Sequence, residues 1–138
     1  MIQRSKDSID LGVVISDPEK SLAFYRDLLG FEFAGEMSLP GGGVMYRLLC
    51  GSSLVKLLYT GLELESPPRG GLMGAYGYRY FTIYVENLSE ITQRCVDAGC
   101  VVQMANLEIR QGVTISIVED PDGNLVEFLN LVVAPASK

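Results

Sequence analysis

Apolar residues recur along this chain in two kinds of pattern. Short runs rich in β-branched and aromatic residues predict strands, and two segments with a helical period of apolar residues predict helices. The predicted strands span residues 9–17, 31–37, 44–50 and 53–59 in the first half, and 78–87, 100–106, 112–120 and 124–133 in the second. The predicted helices span residues 16–30 and 88–99.

Both predicted helices carry start or stop signals. Asp17 and Pro18 suit the cap and the first turn of the first helix, and Gly30 and Gly99 suit the two ends. The period predicts that each helix turns one apolar face inward. The predicted inward residues are Leu22, Tyr25, Leu28 and Leu29 in the first helix, and Leu88, Ile91, Cys95 and Ala98 in the second.

The two halves of the chain repeat one order of elements. LVKLL at 54–58 returns as LVEFL at 125–129, an offset of 71, and the glycines that end the helices are 69 apart. These offsets predict one domain, residues 1–138, of the α+β class, built from two βαβββ modules that form a curved mixed sheet around a cleft. The predicted bounds are 8–59 for module one, 60–77 for the connection and 78–133 for module two.

Composition excludes several classes of protein. The 138 residues are 48% hydrophobic, contain no run long enough to span a membrane, and carry a net charge of −6 without a basic cluster, so we expect no membrane and no nucleic-acid partner. Three cysteines without C-x-x-C spacing indicate reduced thiols and a cytoplasmic location. The chain has no histidine, which excludes Ser-His-Asp and Cys-His catalysis.

The repeated strands differ most at their centres, where one carries Lys56 and the other Glu127. Both residues are flanked by apolar residues on both faces of the strand, and a charge in such a place needs a partner. We therefore predict that Lys56 and Glu127 contact each other. The contact is either an internal salt bridge without chemistry or a site where Lys56 recognises an anionic or carbonyl group.

Two motifs resemble those of the vicinal oxygen chelate (VOC) superfamily, which includes glyoxalase I, fosfomycin- and bleomycin-resistance proteins, methylmalonyl-CoA epimerase and extradiol dioxygenases. They are VISDPEKSLAFYRDLLGFEF at 14–33 and VEDPDGNLVEFLN at 118–130. The resemblance implies a glyoxalase/bleomycin resistance-like fold, a small-molecule ligand and a homodimer.

The resemblance also places the metal ligands of metal-using relatives at Asp10, Lys56, Tyr80 and Glu127. Lysine and tyrosine break that pattern at two of four positions, so we expect no metal and no other cofactor. The expected arrangement puts the ammonium of Lys56 in the place of the metal, beside Asp10, Glu127 and the Tyr80 hydroxyl.

Further candidates extend the predicted ligand site. Arg47 either reaches the cleft and holds an anion or lies on the surface, and Thr82 shares the strand face of Tyr80. The candidate substrate-binding residues are Asp10, Arg47, Lys56, Tyr80, Thr82 and Glu127, and the candidate catalytic residues are Glu127 and Lys56.

These residues predict a metal-independent protein of the bleomycin-resistance type that binds an aromatic or anionic small molecule. One alternative is a lyase, isomerase or epimerase in which Glu127 is the general base and Lys56 stabilises an enolate. The other is a metal-dependent, glyoxalase-like enzyme with a degenerate site at Asp10 and Glu127.

Overall fold

The computed structural model describes residues 1–67 and 70–132. The chain forms two compact units, Met1–Glu65 and Ser66–Lys138. The predicted module bounds stay a prediction; residues 68–69 of the predicted connection and residue 133 of predicted module two lie outside the described part.

The first unit is a four-stranded mixed sheet with one helical segment. Strand order is β1-β4-β3-β2, with β1 parallel to β4 and the other neighbours antiparallel. The elements in chain order are β1 (Leu11–Val14), α1 (Pro18–Leu22) continued by a π-helical segment (Ala23–Leu28), β2 (Glu32–Ser38), β3 (Val44–Cys50) and β4 (Ser53–Tyr59).

The second unit repeats this arrangement. Its strand order is β5-β8-β7-β6, again with one parallel and two antiparallel pairings. The elements are β5 (Tyr80–Tyr84), α2 (Leu88–Asp97), β6 (Val102–Arg110), β7 (Val113–Glu119) and β8 (Leu125–Leu131). The predicted α+β class and the two βαβββ modules are thus confirmed. No helix within the described ranges is long and apolar enough to cross a membrane.

The strand register repeats as well as the order of elements. Gly12 of β1 lies opposite Lys56 of β4 in the first unit, and Thr82 of β5 lies opposite Glu127 of β8 in the second. Gly12 and Thr82 are 70 residues apart and Lys56 and Glu127 are 71 apart, in agreement with the offsets of 69 and 71 in the sequence repeat. Lys56 and Glu127 therefore occupy equivalent backbone positions, and any difference between them comes from their side chains and neighbours.

The first helix begins where the sequence predicts but buries different residues. The Asp17 side chain accepts a hydrogen bond from the backbone N–H of Lys20 at 3.2 Å, and Pro18 opens the helix. Tyr25 and Phe24 are buried, whereas three of the four predicted inward residues are only partly buried: Leu22, Leu28 and Leu29. The π-helical segment explains the partial burial of Leu28 and Leu29, because it places more residues in each turn and rotates later side chains away from the α-helical phase.

The second unit has a polar connection between α2 and its sheet. Thr92 Oγ1 donates to the carbonyl of Leu88 at 2.7 Å and lies 2.7 Å from Ser116 Oγ. Because a threonine hydroxyl has one hydrogen, Ser116 donates to Thr92, and Ser116 Oγ accepts from the backbone N–H of Asn106 at 3.0 Å. Both hydroxyl-bearing residues are almost fully buried. Ser116 thus marks the face of the sheet that α2 covers.

The opposite face of this sheet carries an apolar cluster. Leu72, from the segment before β5, and Met104 pack against it. Because neighbouring residues of a strand point to opposite faces, this is also the face of Glu127. The cluster residues are Val113, Ile115, Ile117, Leu125 and Leu129.

We expect Ser116→Ala to lower the free energy of unfolding by about 1–3 kcal/mol, because the Asn106 N–H and the Thr92 hydroxyl each lose a buried partner. Urea unfolding measures this change. Ser89→Ala is the matched control, since it removes an exposed hydroxyl that bonds Asn106 Oδ1 at 3.3 Å, and it should change stability by less than about 0.5 kcal/mol. Equal losses in the two variants would contradict a structural role for Ser116.

Candidate functional site

The first unit contains a carboxylate held between two ammonium groups. Lys56 Nζ lies 3.1 Å from Asp10 Oδ2, and Lys6 Nζ lies 2.5 Å from Asp10 Oδ1. Asp10 directly precedes β1, and Lys56 is central in the neighbouring parallel strand, so the sheet register sets the first contact. The predicted association of Asp10 with Lys56 is therefore present within one unit.

A row of four residues crosses the same sheet through Lys56. In this row each residue lies opposite the next one in register, in the order Gly12 of β1, Lys56 of β4, Arg47 of β3 and Gly35 of β2. We call these four residues the cation row. Its two central residues are cations and its two outer residues have no side chain. A Cβ added to Gly12 would come no closer than 3.9 Å to another atom, and one added to Gly35 would meet nothing within 4 Å.

The two cations of this row differ in how they are balanced. Lys56 pairs with Asp10, but Asp10 also pairs with Lys6. The side chain of Arg47 makes no hydrogen bond or ion pair with any residue that the structure describes. Like charges directly opposite each other on adjacent strands destabilise a sheet. The row therefore has positive charge in excess and open space beside it.

The lysines change the acidity of Asp10. The hydrogen bond from Lys6, and next the one from Lys56, lower the pKa of the Asp10 carboxyl below its usual value, while partial burial opposes them. Asp10 is therefore ionised at neutral pH. Both of its oxygens are engaged by ammonium groups.

The second unit places a carboxylate at the equivalent position. Thr82 Oγ1 donates to Glu127 Oε1 at 2.7 Å. Glu127 is 8% exposed and shares its face with Leu125 and Leu129 of the apolar cluster. Glu127 thus obtains a hydrogen-bond partner from its own sheet.

Two tyrosines flank Thr82 on the same strand face. Tyr80 is 49% exposed and Tyr84 is 68% exposed. Their rings, together with the Thr82 hydroxyl and Glu127, give this face both aromatic and polar groups. The resemblance places Tyr80 at one of the metal-ligand positions of metal-using relatives, and this assignment stays a prediction.

A sequence profile of the glyoxalase/bleomycin resistance protein/dioxygenase superfamily matches residues 9–128. This chain belongs to that superfamily. The match covers both modules, and it confirms the family expected from the motifs at 14–33 and 118–130.

Members of the superfamily from several organisms are similar to this chain. It is 27% identical over 118 residues to glutathione transferase FosA of Serratia marcescens, a span that covers 86% of this chain and 76% of that protein. The trypanothione-dependent glyoxalase I of Leishmania major is 22% identical, with a TM-score of 0.71 and 91% and 87% of the two chains covered. A glyoxalase family protein of Bacillus cereus is 14% identical, with a TM-score of 0.80 and 96% and 97% covered. The two structural likenesses show the fold.

The side chains at the family's metal positions do not fit a metal ion in this superfamily member. Asp10 has both oxygens bonded to ammonium groups, and the ammonium of Lys56 repels a cation. Tyrosine is a poor ligand for divalent ions, and Glu127 Oε1 accepts from Thr82. Across residues 1–67 and 70–132 there is no group of three or more His, Cys, Asp or Glu side chains that could hold a metal.

The sequence did not reveal Lys6 as a partner of Asp10, and its apolar pattern overestimated the burial of Lys56. Lys6, which bonds Asp10, lies in an N-terminal segment without hydrophobic period, and its only sequence signal is its position four residues before Asp10. Lys56 is 34% exposed by its side chain, not covered on both faces as the pattern suggested, because an apolar strand pattern does not reveal which face is left open. The predicted contact between Lys56 and Glu127 stays a prediction.

We expect the Asp10 carboxyl to titrate below its usual pKa and to move back toward that value in Lys6→Met, and to a smaller extent in Lys56→Met. Ammonium groups favour the charged carboxylate, so removing one raises the pKa. The contribution of Asp10 to stability is present above its usual pKa and is lost as the pH falls through the lowered one. Carbon NMR of the Asp10 carboxyl during a pH titration measures both shifts, with Lys20→Met as the control. An unchanged midpoint in both lysine variants would contradict the ion pairs.

Proposed function

We propose that this superfamily member is a metal-independent small-molecule-binding protein whose ligand carries an anionic group, held by Lys56 and Arg47. The observation that supports the proposal is the cation row. It presents two adjacent cations in a chain of net charge −6, with glycines on either side.

The charge balance of the row favours an anion. Lys6 and Lys56 both pair with one carboxylate, that of Asp10, and the side chain of Arg47 pairs with none among the described residues. A bound carboxylate or phosphate-type group adjacent to Arg47 and Lys56 would relieve their repulsion. Charge-assisted hydrogen bonds of this kind contribute about 1.5–3 kcal/mol each.

The shape of the row favours a planar anion. The arginine fork can donate two parallel hydrogen bonds to one carboxylate, whereas the lysine ammonium acts as a single point charge. At the two ends of the row, a Cβ built on Gly12 would meet only Leu58 at 3.9 Å, and one built on Gly35 would meet nothing within 4 Å, so both ends leave room for a ligand. Independently of this row, the second unit presents the partly exposed rings of Tyr80 and Tyr84, which suit contact with an aromatic group.

A second candidate is an enzyme of the lyase, isomerase or epimerase type. It is favoured by the burial of Glu127 on an apolar face, with Thr82 holding one carboxylate oxygen. A carboxylate fixed in this way could accept a proton from a carbon atom of a bound substrate. The name of the Serratia relative adds glutathione, which carries two carboxylates, to the ligands worth testing.

Metal independence is part of the proposal and rests on the chemistry of the donors. An ion bound at Asp10 would have to displace two ammonium groups. Elemental analysis of the purified chain tests this part directly, and stoichiometric zinc, nickel, manganese or iron would contradict it. A homodimer and a cytoplasmic location remain expectations from the resemblance and the cysteine usage.

The binding proposal predicts that anionic probes stabilise the chain through the cation row. Benzoate, phenylphosphonate and glutathione are the probes, and benzamide is the neutral match for benzoate. We expect Lys56→Met and Arg47→Met each to weaken binding of the best anion at least about tenfold, because each removes a charge-assisted hydrogen bond. Thermal shift followed by calorimetry measures this.

The matched control is Arg110→Met, which removes an exposed arginine at the end of β6 and should leave the affinity unchanged. Arg47→Lys should recover part of the affinity because it restores the charge without the fork. Equal binding of benzoate and benzamide, or equal losses in the control variant, would contradict an anion site at the row.

The enzymatic candidate makes a separate prediction about Glu127. If a bound probe is turned over, Glu127→Gln should abolish turnover while leaving anion affinity within about threefold, because the amide keeps the shape but cannot accept the proton. Single-turnover kinetics and calorimetry on the same preparation separate the two effects. Full activity in Glu127→Gln would exclude this residue as the general base.

A further inference from the structure

The C-terminal end of α2 has a defined backbone motif. The N–H of Cys100 donates to the carbonyl of Cys95 at 3.0 Å, and the N–H of Gly99 donates to the carbonyl of Val96 at 3.0 Å. Gly99 has φ of +81°, a left-handed conformation that glycine adopts without steric cost. These two bonds around a left-handed glycine form a Schellman motif.

A Schellman motif brings two particular side chains together. The residue after the glycine commonly packs against the residue that accepts its backbone hydrogen bond, and this contact is usually apolar. In this chain both residues are cysteines, Cys95 and Cys100. The backbone hydrogen bond from Cys100 to Cys95 therefore places the two cysteines at the paired positions of the motif.

The backbone hydrogen bond limits the separation of the two cysteines. With N and O 3.0 Å apart, standard bond lengths allow the two Cα atoms a separation of at most roughly 7 Å. Disulfides span Cα separations of about 4.4–6.8 Å. The folded chain therefore holds this pair within, or close to, the distance that a disulfide requires.

We propose that Cys95 and Cys100 are a modification site that forms an intrachain disulfide when the chain meets a peroxide. The bond would join Cys95, in the last turn of α2, to Cys100, which lies two residues before β6 begins at Val102. This proposal rests on the helix end alone and is independent of the proposed ligand site.

The reaction with hydrogen peroxide balances in two steps. The thiolate of Cys100, the more exposed of the two, attacks one peroxide oxygen, which gives a sulfenic acid and, after protonation of the leaving hydroxide, one water. The Cys95 sulfur then attacks the sulfenic sulfur, the S–S bond forms, and the hydroxyl leaves as a second water. Two electrons pass from the thiol pair to the peroxide.

The surroundings of the thiols make this reaction slow at neutral pH. Burial raises the pKa of Cys100, and burial together with the neighbouring Cys100 raises the pKa of Cys95 to about 12. Because the thiolate is the reactive form, the rate should rise as the pH rises toward these values. The pair would therefore respond to sustained oxidation rather than to a brief pulse.

Peptide mapping of the oxidised full chain tests the proposal. Trypsin cleaves after Arg94 and Arg110, so both cysteines fall in one peptide, 95–110, while Cys50 falls in the peptide 48–56. In Cys50→Ser treated with hydrogen peroxide, we expect the peptide 95–110 to lose two hydrogens and to regain them with dithiothreitol. The rate of loss should be several-fold higher at pH 8.5 than at pH 7.

Two further samples keep the test decisive. Cys100→Ser, with circular dichroism to confirm folding, should show no loss of two hydrogens in this peptide. The same treatment of the chain in urea shows whether the fold promotes the bond. Three outcomes would overturn the proposal: only sulfinic or sulfonic acids on the cysteines, a disulfide to Cys50 in the natural chain, or a cross-link that forms in urea but not in the folded chain.

Discussion

The ammonium of Lys56 lies at the centre of a sheet, and this electrostatic constraint underlies the proposed anion site. A charge in that place requires compensation, and Asp10 provides it at 3.1 Å. Asp10 is shared with Lys6, and Arg47 stands beside Lys56 without a partner of its own among the described residues. The positive charge of the cation row is thus only partly compensated by Asp10. For this reason we interpret the row as a candidate anion-binding site and not as an internal salt bridge.

The duplicated module places a cation, Lys56, and an anion, Glu127, at equivalent positions of the two units. Lys56 and Glu127 hold equivalent places in register, but their neighbours on the parallel strand differ, glycine in one unit and threonine in the other. Thr82 satisfies the carboxylate with a hydroxyl hydrogen bond, whereas Gly12 leaves space beside the ammonium. Each charged residue therefore has a partner within its own unit: Asp10 for Lys56, which it shares with Lys6, and Thr82 for Glu127. These partners explain why both charges are tolerated without a direct Lys56–Glu127 pair.

Much of the fold followed from the sequence, because strand alternation, helix punctuation and the repeat all pointed to the same arrangement. The strands at 44–50 and 53–59 have the predicted bounds, since a tight turn limits them. Of the predicted inward residues of the first helix only Tyr25 is fully buried, because the π-helical segment after Leu22 changes the phase without any signal in the apolar pattern. The ion pair of Lys6 with Asp10 and the proximity of Cys95 to Cys100 depend on backbone geometry, which the hydrophobic period does not encode.

Anomalous diffraction from a crystal of the chain soaked in bromide tests the anion site at the cation row. We expect a bromide peak within about 4 Å of both the Lys56 ammonium and the Arg47 guanidinium, beside Gly12 and Gly35, with the Asp10–Lys56 pair intact. Bromide on other surface cations but not on this row, or a transition metal on Asp10 with the Lys56 ammonium in bulk solvent, would contradict an anion site there.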